Sequence, residues 1–371
     1  MKLAVISQVG AGHVTAYHRM FVEEFQAAGC EVLDLGPAPA SVWGRVAGQL
    51  DRWPWWRGRR AWRGASRRLA AVEAIASKEP AAVFFPYLDV GFLEAAVSPG
   101  EVEHWLPRRW AGVVTGPSAV RQPGLFAGGE RVLAARHCRA LVVTDETFVT
   151  PCQNSWPGKP VLVMPEIADV TPPADSSIVA AVRTWAGGRR LVGLLGVISG
   201  KKNISAFLAT ARRARKMRPD LAFVLAGDFS PQACPGPERR ALAAELAELP
   251  PNCWFHPKPI ADGPQFNAWV TACDFLWLAY RDVVYKSNLL TKAAHFQRPV
   301  LVSPGGVMAA HTQLYRLGEV IDATQADQVL SALDRLVTTP ETGRAYTEFA
   351  AANSRMRLTG TVQAVLAALQ S

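Results

Sequence analysis

One pattern occurs twice in the chain, and it constrains the fold more than any other feature. Residues 3–9 form an apolar run that leads into Gly10-Ala11-Gly12, followed by a helical pattern with Val14, Tyr17, Phe21 and Phe25 on one face. Residues 191–198 form a second apolar run that leads into Ser199-Gly200-Lys201-Lys202-Asn203. The helix after it carries Ile204, Phe207, Leu208 and Ala211 at i, i+3, i+4 and i+7. Each pattern continues into another apolar run, 31–35 in the first case and 221–225 in the second. Strands that are apolar without alternation must be covered on both faces, as in a parallel sheet flanked by helices. The two patterns therefore read as the opening β-α-β units of two separate sheets. Short apolar runs at 81–86, 112–115, 140–144 and 160–164 extend the first sheet, and runs at 252–255, 275–278 and 299–303 extend the second.

The length of 371 residues suits two domains of ordinary size. Pro165, Pro172 and Pro173, set among small polar residues, place the boundary within 165–177. The expected domains are 1–168 and 178–354, with an amphipathic final helix at about 355–371 that can pack on either. The expected fold class is α/β, with two doubly wound, Rossmann-like domains facing a cleft. A composition that is 49% hydrophobic and 19% charged excludes a disordered chain. No run approaches the roughly 18 apolar residues of a membrane-spanning helix. The six cysteines form no Cys-x-x-Cys pair and no zinc spacing, so they read as reduced thiols of a cytoplasmic protein, with neither metal nor cofactor expected.

In open α/β sheets, ligands bind just beyond the carboxyl ends of the strands. The backbone amides around Gly10 and Gly12 suit an anion or a hydroxylated ligand, although Thr15 breaks the full Gly-x-Gly-x-x-Gly fingerprint. His13 stands at the mouth of the following helix, where an imidazole can act as a base near neutral pH, and His18 lies further along. In the second domain, Lys201 and Lys202 precede a helix and suit a phosphate, but the spacing is not that of a P-loop. Lys286, Ser287 and Asn288 open another helix, with Ser287 or Asn288 as its N-cap, and Gly305-Gly306 follow the next strand. Each loop alone can be a plain turn or a solvated loop. Together they point to a nucleoside diphosphate. The chain has no Asp-x-Asp, so lysines and helix ends have to neutralise phosphate charge. Asp89 and Asp145 sit at strand ends, as solvated acids or as groups that orient or deprotonate an acceptor hydroxyl. A Ser-His-Asp triad is not signalled, because no Gly-x-Ser-x-Gly elbow is present.

These residues resemble the GT-B glycosyltransferases, in particular the large family numbered four. The resemblance is carried by Gly193-Leu194-Leu195-Gly196 through Lys202-Asn203, by Phe223-Val224-Leu225-Ala226-Gly227, and by the run from Asn288 to Arg298-Pro299-Val300. It implies sugar transfer from a nucleotide donor without a metal, a donor-binding second domain, an acceptor-binding first domain, and a final helix that crosses back onto the first domain. Two departures stand out. The family's arginine in the first donor loop is Val197 here, and counting back from Pro299 puts Lys292 and Val284 where the family has its Glu-x7-Glu pair. The second glutamate of that pair engages the donor ribose, so nucleotide binding here is expected to differ or to be lost.

The formal charge of +9 is concentrated in one place. Between Trp43 and Arg68 stand eight arginines against one aspartate, together with five of the twelve tryptophans, and the remainder is close to neutral. That distribution argues against a nucleic-acid-coating protein. Trp53, Trp55, Trp56, Arg57, Arg59, Arg60, Trp62 and Arg63 form the core of the segment. They suit an anionic membrane surface or stacking on acceptor sugar rings. Stacking on single-stranded nucleic acid, or an amphipathic helix with tryptophans packed inward, are the other readings. The expected function is a glycosyltransferase that moves a sugar from a nucleotide-sugar donor to a glycan or lipid-linked acceptor at the inner face of a membrane. A non-catalytic nucleotide- or glycan-binding protein that supports a partner enzyme is the rival, and a sugar-nucleotide epimerase of the same fold is a third option.

Overall fold

The computed structural model of the protein describes residues 1–8, 13–36, 54–76, 79–89, 92–93, 97–116, 130–229, 236–283, 286–339 and 343–371. The chain divides into two units, Met1–Pro165 with Arg355–Ser371, and Glu166–Ser354.

The first unit contains β1 (Lys2–Ile6), α1 (His13–Ala27), β2 (Glu31–Leu35), α2 (Pro54–Ala76), β3 (Ala82–Phe85), α3 (Pro99–Trp105), β4 (Arg109–Val114), β5 (Cys138–Val143), α4 (Val149–Ser155) and β6 (Val161–Val163). The second contains α5 (Ser177–Ala186), β7 (Arg190–Leu195), α6 (Ile204–Met217), β8 (Leu221–Ala226), α7 (Gly236–Ala247), β9 (Cys253–His256), α8 (Pro264–Ala272), β10 (Phe275–Leu278), α9 (Asn288–His295), β11 (Val300–Val302), α10 (Gly306–Leu314), β12 (Gly318–Val320), α11 (Ala326–Thr338) and α12 (Tyr346–Ala352). The final helix, α13 (Arg355–Gln370), returns to the first unit.

Every strand pairing is parallel, in the orders β2-β1-β3-β4-β5-β6 and β12-β11-β10-β7-β8-β9. The second order is the doubly wound arrangement, whose direction of winding reverses between β7 and β10. Its strands feed two separate cores. Val192, Leu194, Phe223, Leu225 and Trp277 pack with the α6 face of Ile204, Phe207, Leu208 and Ala211. Leu191, Leu195, Val224, Leu276, Leu278 and Val302 point the other way, onto Trp269, Leu289, Leu290 and Met308. This two-sided burial is what the continuous apolar runs imply.

The strand cores follow the sequence expectation, and the ends shift. β1 stops at Ile6 rather than at residue 9, and β6 spans three residues. β12, with Glu319 at its centre, has too short and too polar a signature to be read as a strand. The last helix is fixed by polar contacts to the first unit. Arg355 pairs with Glu23 and Glu24, Thr359 Oγ1 donates to Glu24 at 2.9 Å, and Thr361 Oγ1 donates to the Val163 carbonyl at 2.6 Å. Among the described residues, no helix is long and apolar enough to cross a membrane.

The arginine- and tryptophan-rich segment is helical from Pro54, and one expectation for it is overturned. Trp62 is fully buried, packed against Phe85, Phe92 and Trp110, with its indole N–H donating to the Phe92 carbonyl at 3.1 Å. A side chain in that position belongs to the core and offers nothing to a lipid or a sugar. Arg59 pairs with Glu101 at 3.1 Å and Arg63 stacks 4.9 Å from the Trp105 ring, so both dock α2 onto α3. Arg60 is exposed; Trp53 lies outside the described residues, as do the side chains of Trp55, Trp56 and Arg57. Trp62→Ala is expected to cost the first unit about 3–5 kcal/mol in urea unfolding, the usual price of a large buried aromatic.

Candidate functional site

The strand order of the second unit sets β11, β10 and β7 side by side, so their carboxyl-end loops are neighbours. β7 is followed by Gly196, whose φ of +92° turns the chain away from the sheet. Gly227, at the end of β8, has a φ of +148°, and a Cβ there would stand 2.0 Å from the Gly196 carbonyl oxygen. Only glycine permits that approach. The chain then crosses Ile198 into a single turn at Gly200–Lys202, and Asn203 in the left-handed region (φ 56°) starts α6.

Lys202 is the centre of this loop. Its ammonium donates to the Leu195 carbonyl at 3.0 Å and to the Tyr280 hydroxyl at 2.7 Å, and lies 4.2 Å from the Tyr280 ring centroid. The backbone is tied in the same direction. The Trp277 indole N–H donates to the Lys202 carbonyl at 3.3 Å, and the Arg281 amide donates to the Lys201 carbonyl at 2.9 Å. The loop after β7 and the loop after β10 therefore form one body. Lys201 itself is exposed, and Val197 is a half-exposed apolar side chain in the same loop.

Two helices open toward the same edge of the sheet. Ser287 is the N-cap of α9 in extended conformation, yet its side chain makes no capping bond, and Lys286 precedes it, partly buried. Gly305 (φ 83°) is the N-cap of α10, Gly306 (φ 68°) its first residue, and no side chain caps it. First-turn amides and the positive ends of both helix dipoles thus lie, without a capping side chain, at the sheet edge that carries the Lys202 loop. The loops after β7, β10 and β11, read from the sequence as phosphate candidates, are adjacent. Tyr280 is an addition that the sequence did not flag.

Lys292, aligned with the family's second glutamate, is fully buried in α9. Its ammonium donates to Asn267 Oδ1 at 2.8 Å, pairs with Asp262 at 2.9 Å and contacts the Asp169 carbonyl. The Asp169 carboxyl lies below its ordinary pKa, chiefly because the Thr171 hydroxyl donates to it, with help from the Thr171 amide and from Lys292.

In the first unit the carboxylates hold backbone. Asp89 accepts from the Thr115 and Gly116 amides at 2.7 and 3.1 Å, bracing the ends of β3 and β4. Asp145 is fully buried and accepts from the Thr147 amide and hydroxyl at 2.9 and 2.7 Å. Gly10 and Gly12 lie outside the described residues; His13 is the first residue of α1, its side chain also outside them.

His18 makes a connection that sequence reading did not find. Its Nδ1 is 2.8 Å from Ser7 Oγ and its Nε2 2.6 Å from Asp34 Oδ1. An ionised carboxylate only accepts, so Nε2–H donates to Asp34, while Nδ1 and the Ser7 hydroxyl share the second hydrogen bond. Ser7 and His18 are buried, while Asp34 is over half exposed. Arg68 closes the group by donating to the Ser7 carbonyl at 2.8 Å and to the Gly36 carbonyl. Burial lowers the Arg68 pKa, with Asp34 opposing the shift. The group braces the carboxyl ends of β1 and β2. Its signal in the sequence was an aspartate inside an apolar strand, placed beside Val5 by the β1–β2 register.

No protein-family model matches the sequence, and no curated protein matches it. Solved structures do. A UDP-forming α,α-trehalose-phosphate synthase from Burkholderia xenovorans aligns with a TM-score of 0.68 at 13% identity, over 100% of this chain and 98% of its own. Anabaena Alr3699/HepE in complex with UDP-glucose gives 0.65 at 16% identity, over 100% and 99%. The S. aureus MnaA–UDP co-structure gives 0.57 at 13%, over 94% and 91%. The chain has the GT-B fold. At these identities the likeness speaks to the fold alone, and the GT-B chain's own residues carry any statement about its site.

Replacing His18 by Ala in the GT-B chain leaves the buried Ser7 hydroxyl without its hydrogen-bond partner. The expected cost is about 1–3 kcal/mol in urea unfolding at pH 7. Asp34→Ala, at the solvent end of the same group, is expected to cost less.

Proposed function

We propose that the protein is a glycosyltransferase whose second unit binds a UDP-type sugar donor and whose first unit binds the acceptor. The observation that carries this is the joined β7 and β10 loop, with Lys202 at its centre and two helix N-termini lacking side-chain caps beside it. Solved structures of the same fold contain UDP and UDP-glucose. In the transfer, the bond between the anomeric carbon and the diphosphate oxygen breaks while a bond from the acceptor oxygen to that carbon forms. Negative charge grows on the departing diphosphate, and preorganised donors that meet it there lower the barrier. Lys202, with Lys201 and Lys286 as further cations, supplies charge, and the first turns of α9 and α10, from Ser287 and Asn288 and from Gly305 and Gly306, supply amides.

The acceptor hydroxyl must lose a proton. Asp89 and Asp145 each bind backbone amides, so we assign the base to His13. Membrane proximity remains part of the proposal, carried by Arg57 and Arg60 with Trp53, Trp55 and Trp56. The buried Lys292 in place of a ribose-binding acid favours a second reading, a protein that binds the nucleotide without transferring sugar.

UDP at 100 times its Kd is expected to stabilise the protein by about 2.7 kcal/mol, a rise of roughly 5–10 °C in Tm for the unit that binds it. GDP, ADP and dTDP serve as comparisons. A folded protein that none of them stabilises sinks the reading. Lys202→Met is expected to weaken UDP binding at least about tenfold, a change of ~1.4 kcal/mol. UDP release from UDP-sugars in the presence of acceptor separates transfer from mere binding. For the membrane component, flotation with vesicles containing anionic lipid is expected to fail when Arg57 and Arg60 are replaced by Ser; flotation that survives rejects it.

A further inference from the structure

Lys292 is a fully buried lysine on the helix whose first turn forms part of the proposed phosphate site. An ammonium in that position costs several kcal/mol unless each of its protons has an acceptor. Here three N–H groups meet three acceptors from three places in the unit: Asp262 in the turn before α8, Asn267 within α8, and the Asp169 carbonyl. Asn267, also fully buried, donates its amide to the carbonyls of Asp169 and Thr171 at 3.2 and 2.8 Å. Lys292 and Asn267 therefore pin α9, α8 and residues 169–171 to one another.

The network reaches the Lys202 loop through one ring. The Lys292 ammonium lies 5.6 Å from the centroid of Phe266. The same ring lies near the β7 loop: a Cβ on Gly196 would stand 3.9 Å from Phe266 and 3.7 Å from the Lys202 ammonium. The Phe266 side chain is thus a neighbour both of the buried ammonium and of the glycine that turns the chain toward Lys202. Lys292 sits one turn after Asn288, so its anchorage also fixes where the first amides of α9 point.

We propose that Lys292 is a positioning residue that sets the spacing between the first turn of α9 and the Lys202 loop, and so makes the site selective for a nucleoside diphosphate over a monophosphate. The proposal deepens the donor-site reading and rests on it. Two cationic elements at fixed separation reward a ligand that spans both, and a monophosphate engages only one.

The test is calorimetric titration of the full-length chain with UDP and UMP, with circular dichroism and Tm recorded for each variant. Wild type is expected to bind UDP at least about tenfold more tightly than UMP. Lys292→Met keeps the length of the side chain and removes the charge; it is expected to lower the UDP/UMP affinity ratio at least threefold with UMP affinity within twofold of wild type. Phe266→Leu disturbs no hydrogen bond and is expected to lower the ratio in the same direction, which keeps the test decisive if Lys292→Met does not fold. A role in stability alone lowers Tm and leaves the ratio intact. An unchanged ratio in a folded variant overturns the proposal while the donor-site reading stands. A folded wild type that binds neither nucleotide overturns both.

Discussion

The inner strands of both sheets are parallel and buried on both faces, and the rest of the structure follows from that arrangement. All six residues of β8 are buried, and so are all four of β3 and of β10. Such strands have no polar face, so polar chemistry is confined to their ends, where backbone groups leave the ladder and need new partners. An unmet buried polar group costs about 1–3 kcal/mol, enough to force the loops to bond to each other. Gly196 donates its amide to the Ala226 carbonyl at 2.9 Å and Gly227 to the His256 carbonyl at 3.0 Å. In the first unit, the Ser7 amide donates to the Leu35 carbonyl at 3.1 Å. Loop geometry at the carboxyl edge is set by the same requirement that holds the sheet together.

Charged side chains meet that requirement in both units. In the first, Asp89 and Asp145 take up stray amides, and Arg68 takes up carbonyls. In the second, Lys202 and Lys292 take up carbonyls. Where ammonium groups satisfy the carbonyls, the amides of neighbouring helix starts stay available. An edge rich in cations and amides favours an anionic ligand, and an edge whose amides are already held by carboxylates does not.

The extent to which the sequence could be read depended on how many residues each feature needs. Strand runs such as 221–225 and 275–278 are legible because burial on both faces demands an apolar residue at every position. The α6 face is legible because helical spacing repeats it four times. Gly196, Lys202, Ser287 and Gly305 could be located because each lies between a strand and the helix that follows it. Single contacts across the fold left no such trace. Tyr280 becomes Lys202's partner only when β10 is laid beside β7, and His18 meets Asp34 only through the pairing of β1 with β2. The arginine- and tryptophan-rich segment was ambiguous for another reason: an amphipathic helix and a membrane-facing one share a composition. Trp62 resolves inward, and Arg59, Arg63 and Arg68 have partners within the fold, so composition alone overstated the charge available to an outside surface.

The return of α13 to the first unit has a consequence for how the chain matures. Residues 355–371 cover β4, β5 and β6 beside α1, yet they are made after the whole of the second unit. During synthesis the second unit is contiguous and can close as soon as it leaves the ribosome, while the first must wait with the α13-facing side of its sheet uncovered. The unit that begins the chain is the last to be completed, and its apolar sheet is the surface that has to be kept from misassembly in the interval.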